Sequence, residues 1–456
     1  MMNKHFKILT LIVTSLCTLL AGEAPEHVFL HGQSPLRQYL FQEELQSHEI
    51  RYSYLMPSME MTSNLRGIQD FYQHWYTAPI VPISVRLNAD LATNNKRQGL
   101  RQTFLGTVQL SLSERISIQN DFEIDSHGDK DAHYRGGDTQ AFGDWTLYLQ
   151  NSLLSYIYDE GHVLAGRGNL FSSVAGESIF INPEFTPAEH IWWHHTAWNI
   201  SFDWMVKSLE AVNGNERFLS LHRYAYEKEN WRLGFSEMVL VKYKNLGAQQ
   251  FRYLMPASFF YETEVNGGNN ANVSWNIDGL VKFKAYTIAG EFLIDDYALD
   301  KGSPPKLGLK LGLGHSSSWG EFYGEYVRVN RWTGNYFDPE LRFIENGTFI
   351  GSPLGPDAHG LRIKYYKLFY EKLFTDLSLR WVESGAGNIH EWPAGIGDSA
   401  NFGYNSEPFP SRPISTGYEA QLKVDYFLNS HLISGLRVKV SSETSPVFAI
   451  NLRLAL

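Results

Sequence analysis

Residues 447–456, "VFAINLRLAL", alternate apolar side chains with small or polar ones up to the last residue of the sequence. The apolar positions are Phe448, Ile450, Leu452, Leu454 and Leu456. Between them lie Asn451 and Arg453. Because successive side chains of a strand point to opposite faces, the pattern predicts a strand with an apolar face toward lipid and a polar face toward a lumen. Such a last strand is expected in a closed barrel, where it pairs with the first strand and leaves no open edge.

The same alternation recurs along the chain after about residue 80. It is clearest in 84–91 ("SVRLNADL"), 273–285 ("VSWNIDGLVKFKA") and 416–426 ("TGYEAQLKVDY"), where the charged residues share one face. A period of two favours a strand over a helix. The pattern predicts eighteen strands, at 84–92, 103–112, 116–124, 144–157, 162–167, 188–196, 199–210, 217–227, 231–241, 271–285, 287–294, 306–316, 319–329, 360–370, 376–384, 414–427, 432–441 and 446–456.

Short and long connections alternate between these predicted strands. We expect about ten residues after the first strand, and a short link at 442–445 where a long one is due. The other short links are 113–115, 158–161, 228–230 and 371–375, and the long ones are 125–143, 168–187, 242–270, 330–359 and 385–413. Outer-membrane barrels have short periplasmic turns and long external loops, whereas a soluble sandwich has no such parity. The sequence therefore predicts an all-β membrane protein, with an antiparallel barrel of about 18 strands over residues 80–456.

Composition agrees with a membrane barrel but also fits a large soluble carbohydrate-binding β protein. Aromatic residues make up 14% of the chain, which suits the aromatic girdles of a barrel. Outside the N-terminal segment, no apolar run is long enough for a transmembrane helix. The net charge of −10 argues against nucleic acid as a partner.

The N-terminal segment is typical of a signal peptide. Lys4 and Lys7 precede an apolar run over 8–20, and small residues follow, so we expect a signal peptide over 1–21 with cleavage near Ala21. The alternative is a buried N-terminal helix. The only cysteine, Cys17, lies inside this segment and lacks the small preceding residue of a lipidated cysteine. The mature chain would then contain no thiol and no disulfide.

Residues 22–79 differ from the rest of the chain. Their apolar residues recur at helical intervals in 34–48 and again in 63–75. We expect a small periplasmic helical region that caps the barrel, and the alternative is a poorly ordered leader.

Five segments also resemble the Wzi-type capsule assembly family. They are "GFSEMVLV" (234–241), "GEFLIDDY" (290–297), "PKLGLKLGL" (305–313), "GEYVRVN" (324–330) and "GSPLGPDAHGL" (351–361). The resemblance implies an eighteen-stranded outer-membrane barrel with a periplasmic helical bundle and a lectin-like role in assembling or attaching capsule. It implies capsular or other surface polysaccharide and outer-membrane lipids as partners, with polysaccharide export machinery as a further candidate. Residues 166–184 match less well, and no binding site is carried over from them.

The stretch "HIWWHHTAW" (190–198) is rich in aromatic and histidine side chains. It favours an aromatic girdle at the membrane interface over a sugar-stacking platform or a metal site. His194 and His195 are adjacent, so on a strand they point to opposite sides and cannot easily bind one metal together.

Two groups of acidic and histidine side chains are candidates for acid–base chemistry. Asp295 and Asp296 are neighbours whose side chains diverge on a strand, which favours a loop-entry or calcium-binding role over catalysis. Asp357 and His359 lie among Pro and Gly residues that indicate a rigid turn. We therefore expect no catalytic residues, and the sequence indicates no cofactor or metal site.

The best ligand candidates lie in two predicted external loops, 330–347 and 391–413. Aromatic rings there can stack on sugars, and arginines can pair with the carboxylates of acidic sugars. The candidate binding residues are Arg331, Trp332, Tyr336, Phe337, Arg342, Trp392, Tyr404 and Arg412.

Three functions remain open at this point. The first is a polysaccharide-binding barrel whose loops close the lumen. The second is a porin-like diffusion channel for small solutes, because eighteen strands can enclose a water-filled lumen. The third is a barrel enzyme, which would need a convergent catalytic set that the sequence does not display.

Overall fold

The structure is a computed structural model of the full chain. The structure describes only part of the chain. The described residues are 28–30, 55–56, 59–61, 83–94, 97–113, 115–125, 140–142, 145–168, 171–172, 177–181, 187–228, 230–245, 247–267, 271–296, 305–370, 372–391, 408–429, 432–442 and 446–455.

Eighteen of the described strands form one antiparallel barrel. They are β1 (Ile83–Asn94), β2 (Arg97–Ser111), β3 (Ile116–Asp125), β4 (Trp145–Tyr158), β5 (Gly161–Gly168), β6 (Ala188–Ala197), β7 (Ile200–Val212), β8 (Asn215–Lys228), β9 (Trp231–Tyr243), β10 (Ala271–Phe283), β11 (Tyr286–Asp296), β12 (Lys306–Ser317), β13 (Gly320–Val329), β14 (Ala358–Phe369), β15 (Leu373–Ser384), β16 (Ser415–Asn429), β17 (Leu432–Ser441) and β18 (Val447–Ala455). Every predicted strand is present, so the predicted fold class is confirmed.

The sheet closes on itself. The last strand, β18, pairs antiparallel with β1, and Asn451 lies opposite Asn88. A further short strand, Gln140–Phe142, pairs with β4 beside β3. Closure leaves no open barrel edge, which is what a sheet exposed to lipid requires.

The long connections all lie at one end of the barrel. The opposite end has only short links, such as 159–160, 229–230 and 318–319. The expected ten-residue loop after the first strand is wrong, because β2 begins at Arg97 and pairs with Asn94 across a two-residue turn. The start of β2, "RQGLRQ", alternates little, so its sequence pattern does not mark it as a strand.

The barrel wall is apolar outside and polar inside. On β12, Leu311 and Leu313 are exposed, whereas the preceding residue, Lys310, is buried. On β18, Phe448 and Ile450 are exposed, as predicted for the lipid face. The side chains of residues 451–456 lie outside the described set. An outward apolar face with an inward polar face is the inverse of a soluble barrel and is typical of one embedded in lipid.

The N-terminal region is described only in three short strands. Val28–Leu30 pairs with Met59–Met61, and Leu55–Met56 pairs with Phe171–Ser172. The predicted signal peptide and the predicted helices at 34–48 and 63–75 lie outside the described residues. Within the part of the chain that the structure covers, no helix combines the length and hydropathy needed to cross a bilayer.

Two helices that the sequence pattern did not predict lie in the connection between β9 and β10. They are α1 (Ala248–Tyr253) and α2 (Phe260–Gly267). A single 3-10 turn, Pro339–Leu341, and a small hairpin of Ile344–Glu345 with Thr348–Phe349 lie in the connection between β13 and β14.

Candidate functional site

Segments of three long connections fill the mouth of the barrel. We call residues 177–181 the inserted segment and residues 330–357 the mouth loop; the third connection contributes 385–391 and 408–413. Apolar side chains of these segments share one core with inward side chains of the wall. The core includes Ile179, Phe180, Ile181, Leu341, Phe343, Phe349, Ile350 and Ile389 from the loops, and Met205, Leu219, Leu221, Leu240, Leu293 and Val327 from the wall. An apolar core thus lies within the lumen, at the end with the long connections.

The inserted segment is a tight turn held by hydrogen bonds to the wall. Ser178 Oγ accepts from the backbone N–H groups of Phe180 and Ile181, both at 3.0 Å. The Ile179 N–H donates to Glu291 Oε2 on β11 at 3.2 Å. Ile179 itself is fully buried. Because its backbone donors have partners, the segment can lie in the lumen without exposing unpaired polar groups.

Glu177 joins the inserted segment to the opposite side of the lumen. Its carboxylate pairs with Arg362 on β14 and Arg380 on β15. Arg362 also pairs with Glu325 on β13, and the Glu177 N–H donates to that same carboxylate at 3.2 Å. Burial alone would raise the pKa of the Glu177 carboxyl, but the charges of Arg362 and Arg380 outweigh it and lower the pKa below its ordinary value.

The mouth loop is bonded to several positions of the wall. Arg217 on β8 donates to the Ile344 carbonyl at 2.9 Å, and Asn272 on β10 donates to the Leu341 carbonyl at 3.0 Å. Asp295, at the end of β11, accepts from the Gly334 N–H at 2.9 Å. Asp295 therefore anchors a loop in this structure, in keeping with the loop-entry role considered for it.

Asp357 fixes the third connection to the mouth loop. It is buried and has a positive φ of 59°. Its carboxylate accepts from the Gly387 N–H at 2.8 Å and from the N–H and hydroxyl groups of Ser411. His359 faces outward instead, with Nε2 3.2 Å from Glu383 Oε2. Asp357 and His359 therefore contact different partners.

An aromatic platform remains at the surface of the mouth loop. The rings of Tyr336 and Phe337 are 4.6 Å apart, and Phe337 is 51% exposed. Lys306 Nζ lies 5.6 Å from the Tyr336 ring. The Arg342 guanidinium donates to the carbonyls of Tyr336, at 3.0 Å, and His390. Burial lowers the pKa of Arg342, and its place beneath the platform makes it a positioning residue.

The predicted binding residues divide into buried and accessible groups. Trp332 and Arg342 are each only 7% exposed, so their side chains belong to the packing of the loop. Arg331 is half-buried, with its guanidinium 4.7 Å from the Trp332 ring, and Arg412 is exposed. Trp392 and Tyr404 lie outside the described residues. Of the predicted set that is described, Tyr336, Phe337, Arg331 and Arg412 are accessible to a ligand.

Sequence reasoning missed the residues that hold the loops in place. Glu177 lies in a segment that matched the family pattern poorly. The Asn335 side chain donates to the carbonyls of Asn388 and Glu391, tying the mouth loop to the third connection. Both residues act on partners far away in the chain, which no local pattern reveals.

The stretch 190–198 forms most of β6 and ends in the short turn that follows it. Its neighbouring histidines face opposite ways. His194 Nδ1 is 2.8 Å from Asp203 in the lumen, whereas His195 Nδ1 is 3.2 Å from the Tyr158 hydroxyl outside. Trp193 also donates to Tyr158, at 2.8 Å. The outward aromatics near these turns form a cluster like the predicted girdle, and the described residues contain no group of three or more potential ligands placed for a metal.

Comparison with solved structures shows the fold. The chain is similar to Wzi of Escherichia coli, an outer-membrane protein described as a carbohydrate-binding β-barrel involved in group 1 capsule assembly. The TM-score is 0.60 at 10% identity, over 93% of this chain and 99% of that one. It is also similar to two Pseudomonas aeruginosa proteins. OccK5 (OpdH) has a TM-score of 0.46 at 10% identity, covering 82% and 96% of the two chains. The outer-membrane protein OprD has a TM-score of 0.47 at 10% identity, covering 82% and 93%. No family model matches the sequence, and no curated protein matches it. The chain therefore has the fold of an outer-membrane β-barrel.

Proposed function

We propose that the protein binds a capsular or other surface polysaccharide at the external mouth of the barrel and helps to assemble or attach it at the cell surface. The observation that carries the proposal is the filling of the mouth by folded loops bonded to the lumen wall, which leaves the Tyr336–Phe337 platform at the surface. Aromatic faces can stack against the apolar faces of sugar rings. No step of bond cleavage is included in the proposal.

The preferred ligand is an acidic polysaccharide. Arg331 and Arg412 lie in the two loop segments that meet around Asp357, and guanidinium groups pair well with sugar carboxylates. The likeness to Wzi supports the proposal, because that protein is a carbohydrate-binding barrel and the two chains share a fold over nearly their whole lengths. Export machinery as a partner remains an expectation from the family resemblance.

The rival function, a porin-like channel, would require the loop segments to leave the lumen. In the structure they are bonded to it through Arg217, Asn272, Asp295 and the pairs of Glu177. A wide aqueous path through that mouth is incompatible with these contacts. These contacts favour binding over diffusion.

Binding of purified protein to surface polysaccharides, run beside conductance in planar bilayers, tests the proposal. Replacing Tyr336 and Phe337 with Ala should weaken binding of an acidic polysaccharide at least about tenfold, since a factor of ten corresponds to about 1.4 kcal/mol. Tyr370→Ala is the matched control, because Tyr370 is exposed at the opposite end of the barrel. Arg412→Gln should reduce the salt dependence of binding.

Heat-modifiable migration on gels would check that each variant still forms a barrel. Full binding by the folded Tyr336 and Phe337 double variant, together with free conductance by the wild type, would identify a channel and overturn the proposal.

A further inference from the structure

Strands β8, β9 and β10 differ from the rest of the wall, because both of their faces are buried near the long connections. On β9, Leu233 and Phe235 are exposed outward, whereas Glu237, Val239 and Val241, on the same face, are buried. On β8 and β10, too, the outward side chains are exposed near the short turns and become buried toward the long connections. Something therefore covers the outer wall over the upper part of these strands.

The cover is the pair of helices α1 and α2, which we call the outer helix pair. Tyr253 and Phe260 pack with outward-facing Phe218, Val239 and Val273 in a core separate from the one in the lumen. The Tyr261 ring lies 5.0 Å from the ring of outward-facing Trp275. The connection between β9 and β10 thus folds down over the outside of the barrel.

A buried carboxylate fixes the outer helix pair to the wall. Glu237 accepts from the N–H groups of Phe260 and Tyr261, at 2.8 and 2.9 Å, and from Trp275 Nε1 at 3.0 Å. His222 Nε2 is 3.1 Å from the same carboxylate. Glu237 and His222 face the same way as the lipid-facing residues below them. The helices therefore shield a carboxylate and an imidazole that would be costly against hydrocarbon.

The height of Glu237 places this contact within the bilayer. With a rise of about 3.4 Å per residue and a tilt of about 40°, Glu237 lies roughly 18 Å above the turn at 229–230, inside an apolar band about 25 Å tall. The hydrogen-bonded row that holds Glu237 climbs along the tilted strands through Trp275 to Ile294 and Leu307, both outward apolar residues. Neighbouring strands thus still present an apolar outward surface above the level of Glu237.

The side of the helix pair that faces away from the barrel is also apolar. Its large side chains are exposed, with Phe259 at 67%. The others are Phe251 on α1, Val265 on α2 and Met255 between the helices, and the Tyr261 ring beside Trp275 is exposed as well. The exposed charged residues are Arg252 and Glu262, and the long stem of Arg252 lets its charge extend toward the headgroups. An apolar outer side with a few charges is typical of a helix lying along the membrane plane.

We propose that the outer helix pair lies in the outer half of the bilayer beside the barrel wall. Its exposed apolar side chains contact the acyl chains of outer-leaflet lipid. Lipid is favoured over a second copy of the chain because this surface lies directly above the lipid-facing wall formed by Leu233, Phe235 and Ile277. The pair thereby widens the membrane contact of the barrel on one side only.

Site-directed fluorescence in reconstituted bilayers tests this inference. An environment-sensitive dye would be attached to the cysteine of Phe259→Cys, and the labelled protein would be reconstituted in vesicles. Quenching of the dye would be measured with lipid that carries nitroxide-labelled acyl chains and, in a separate sample, with iodide in the aqueous phase. Ile277→Cys on the wall is the control in lipid, and Phe337→Cys on the mouth loop is the control in water; both parent side chains are exposed. Phe259→Cys should be quenched by the labelled lipid within about twofold of Ile277→Cys and be protected from iodide.

Two results would overturn the inference. Quenching of Phe259→Cys by iodide alone, as for Phe337→Cys, would place the helices in water above the membrane. Protection from both quenchers, with cross-linking of Phe259→Cys into dimers, would make the surface an interface between two copies. Phe251→Cys provides a second reporter on α1 if the first variant does not fold, and heat-modifiable migration checks folding of each.

Discussion

The mouth loop and the outer helix pair arise from long connections at the same end of the barrel, yet they fold to opposite sides of its wall. The mouth loop turns inward and bonds through Arg217, Asn272 and Asp295 to a polar surface. The outer helix pair turns outward and packs on an apolar surface, with Glu237 as its main polar contact. The polarity of each face of the wall determines which kind of contact the segment packed on it makes. A loop in the lumen needs many hydrogen bonds, whereas a helix against the outside needs apolar area.

The largest effect is expected from Arg362→Met. This change leaves the carboxylates of Glu177 and Glu325 buried without their shared cation, at a cost of about 3–5 kcal/mol. The inserted segment should leave the lumen while the barrel and the outer helix pair persist, so conductance in a planar bilayer should rise. Arg437→Met is the matched control, because Arg437 contacts Gln421 on the next strand instead. An unchanged conductance in folded Arg362→Met would contradict this account of the lumen.

A smaller effect, about 1–3 kcal/mol, is expected from Glu237→Ala, because it leaves buried donors of α2 and Trp275 without an acceptor. Hydrogen exchange should show lost protection in 247–267 and unchanged protection in the mouth loop. Asp295→Ala should instead reduce protection in the mouth loop and leave protection in 247–267 unchanged, since the partner of Asp295 is the Gly334 N–H. Equal loosening of both regions by either change would mean that the two covers are not independent.

The smallest effect concerns the pH dependence of the inserted segment. The pKa of Glu177 is lowered from its ordinary value of 4.5 in the folded protein. Its stabilising contribution is therefore present above pH 4.5 and is lost as pH falls through the lower, folded-state pKa. Conductance should rise only at strongly acidic pH, and by less than in Arg362→Met, because a neutral acid still forms hydrogen bonds. Glu177→Gln should abolish this acid step; an identical pH profile in that variant would assign the step to another group.

The sequence predicted the strands well because the wall obeys a period of two wherever one face is apolar and the other polar. Residues 273–285 show this pattern, and β10 is present there. The start of β2 was missed because "RQGLRQ" alternates little. The outer helix pair was missed because nothing local shows that the outer wall above Phe235 needs a cover.

The candidate site was only partly predictable for a related reason. A tryptophan or arginine in a predicted loop has the right chemistry for a sugar whether it ends up exposed or buried. Trp332 and Arg342 turned out to pack within the loop, whereas Phe337 remained exposed. Asp357 was correctly placed in a rigid turn, but its partners, Gly387 and Ser411, lie in another connection and share no local pattern with it.

The seam between β1 and β18 has a consequence for the order of folding. Its partners, such as Asn88 and Asn451, lie at opposite ends of the barrel sequence, whereas every other pair of adjacent wall strands is close in the chain. The entropy lost on closing so long a loop is recovered only after the intervening hairpins have formed, so the seam closes late. Until then two strand edges are unpaired and able to join another chain. Interactions formed this late mainly control how fast a protein unfolds, and the seam is therefore where the kinetic lifetime of the finished barrel is set.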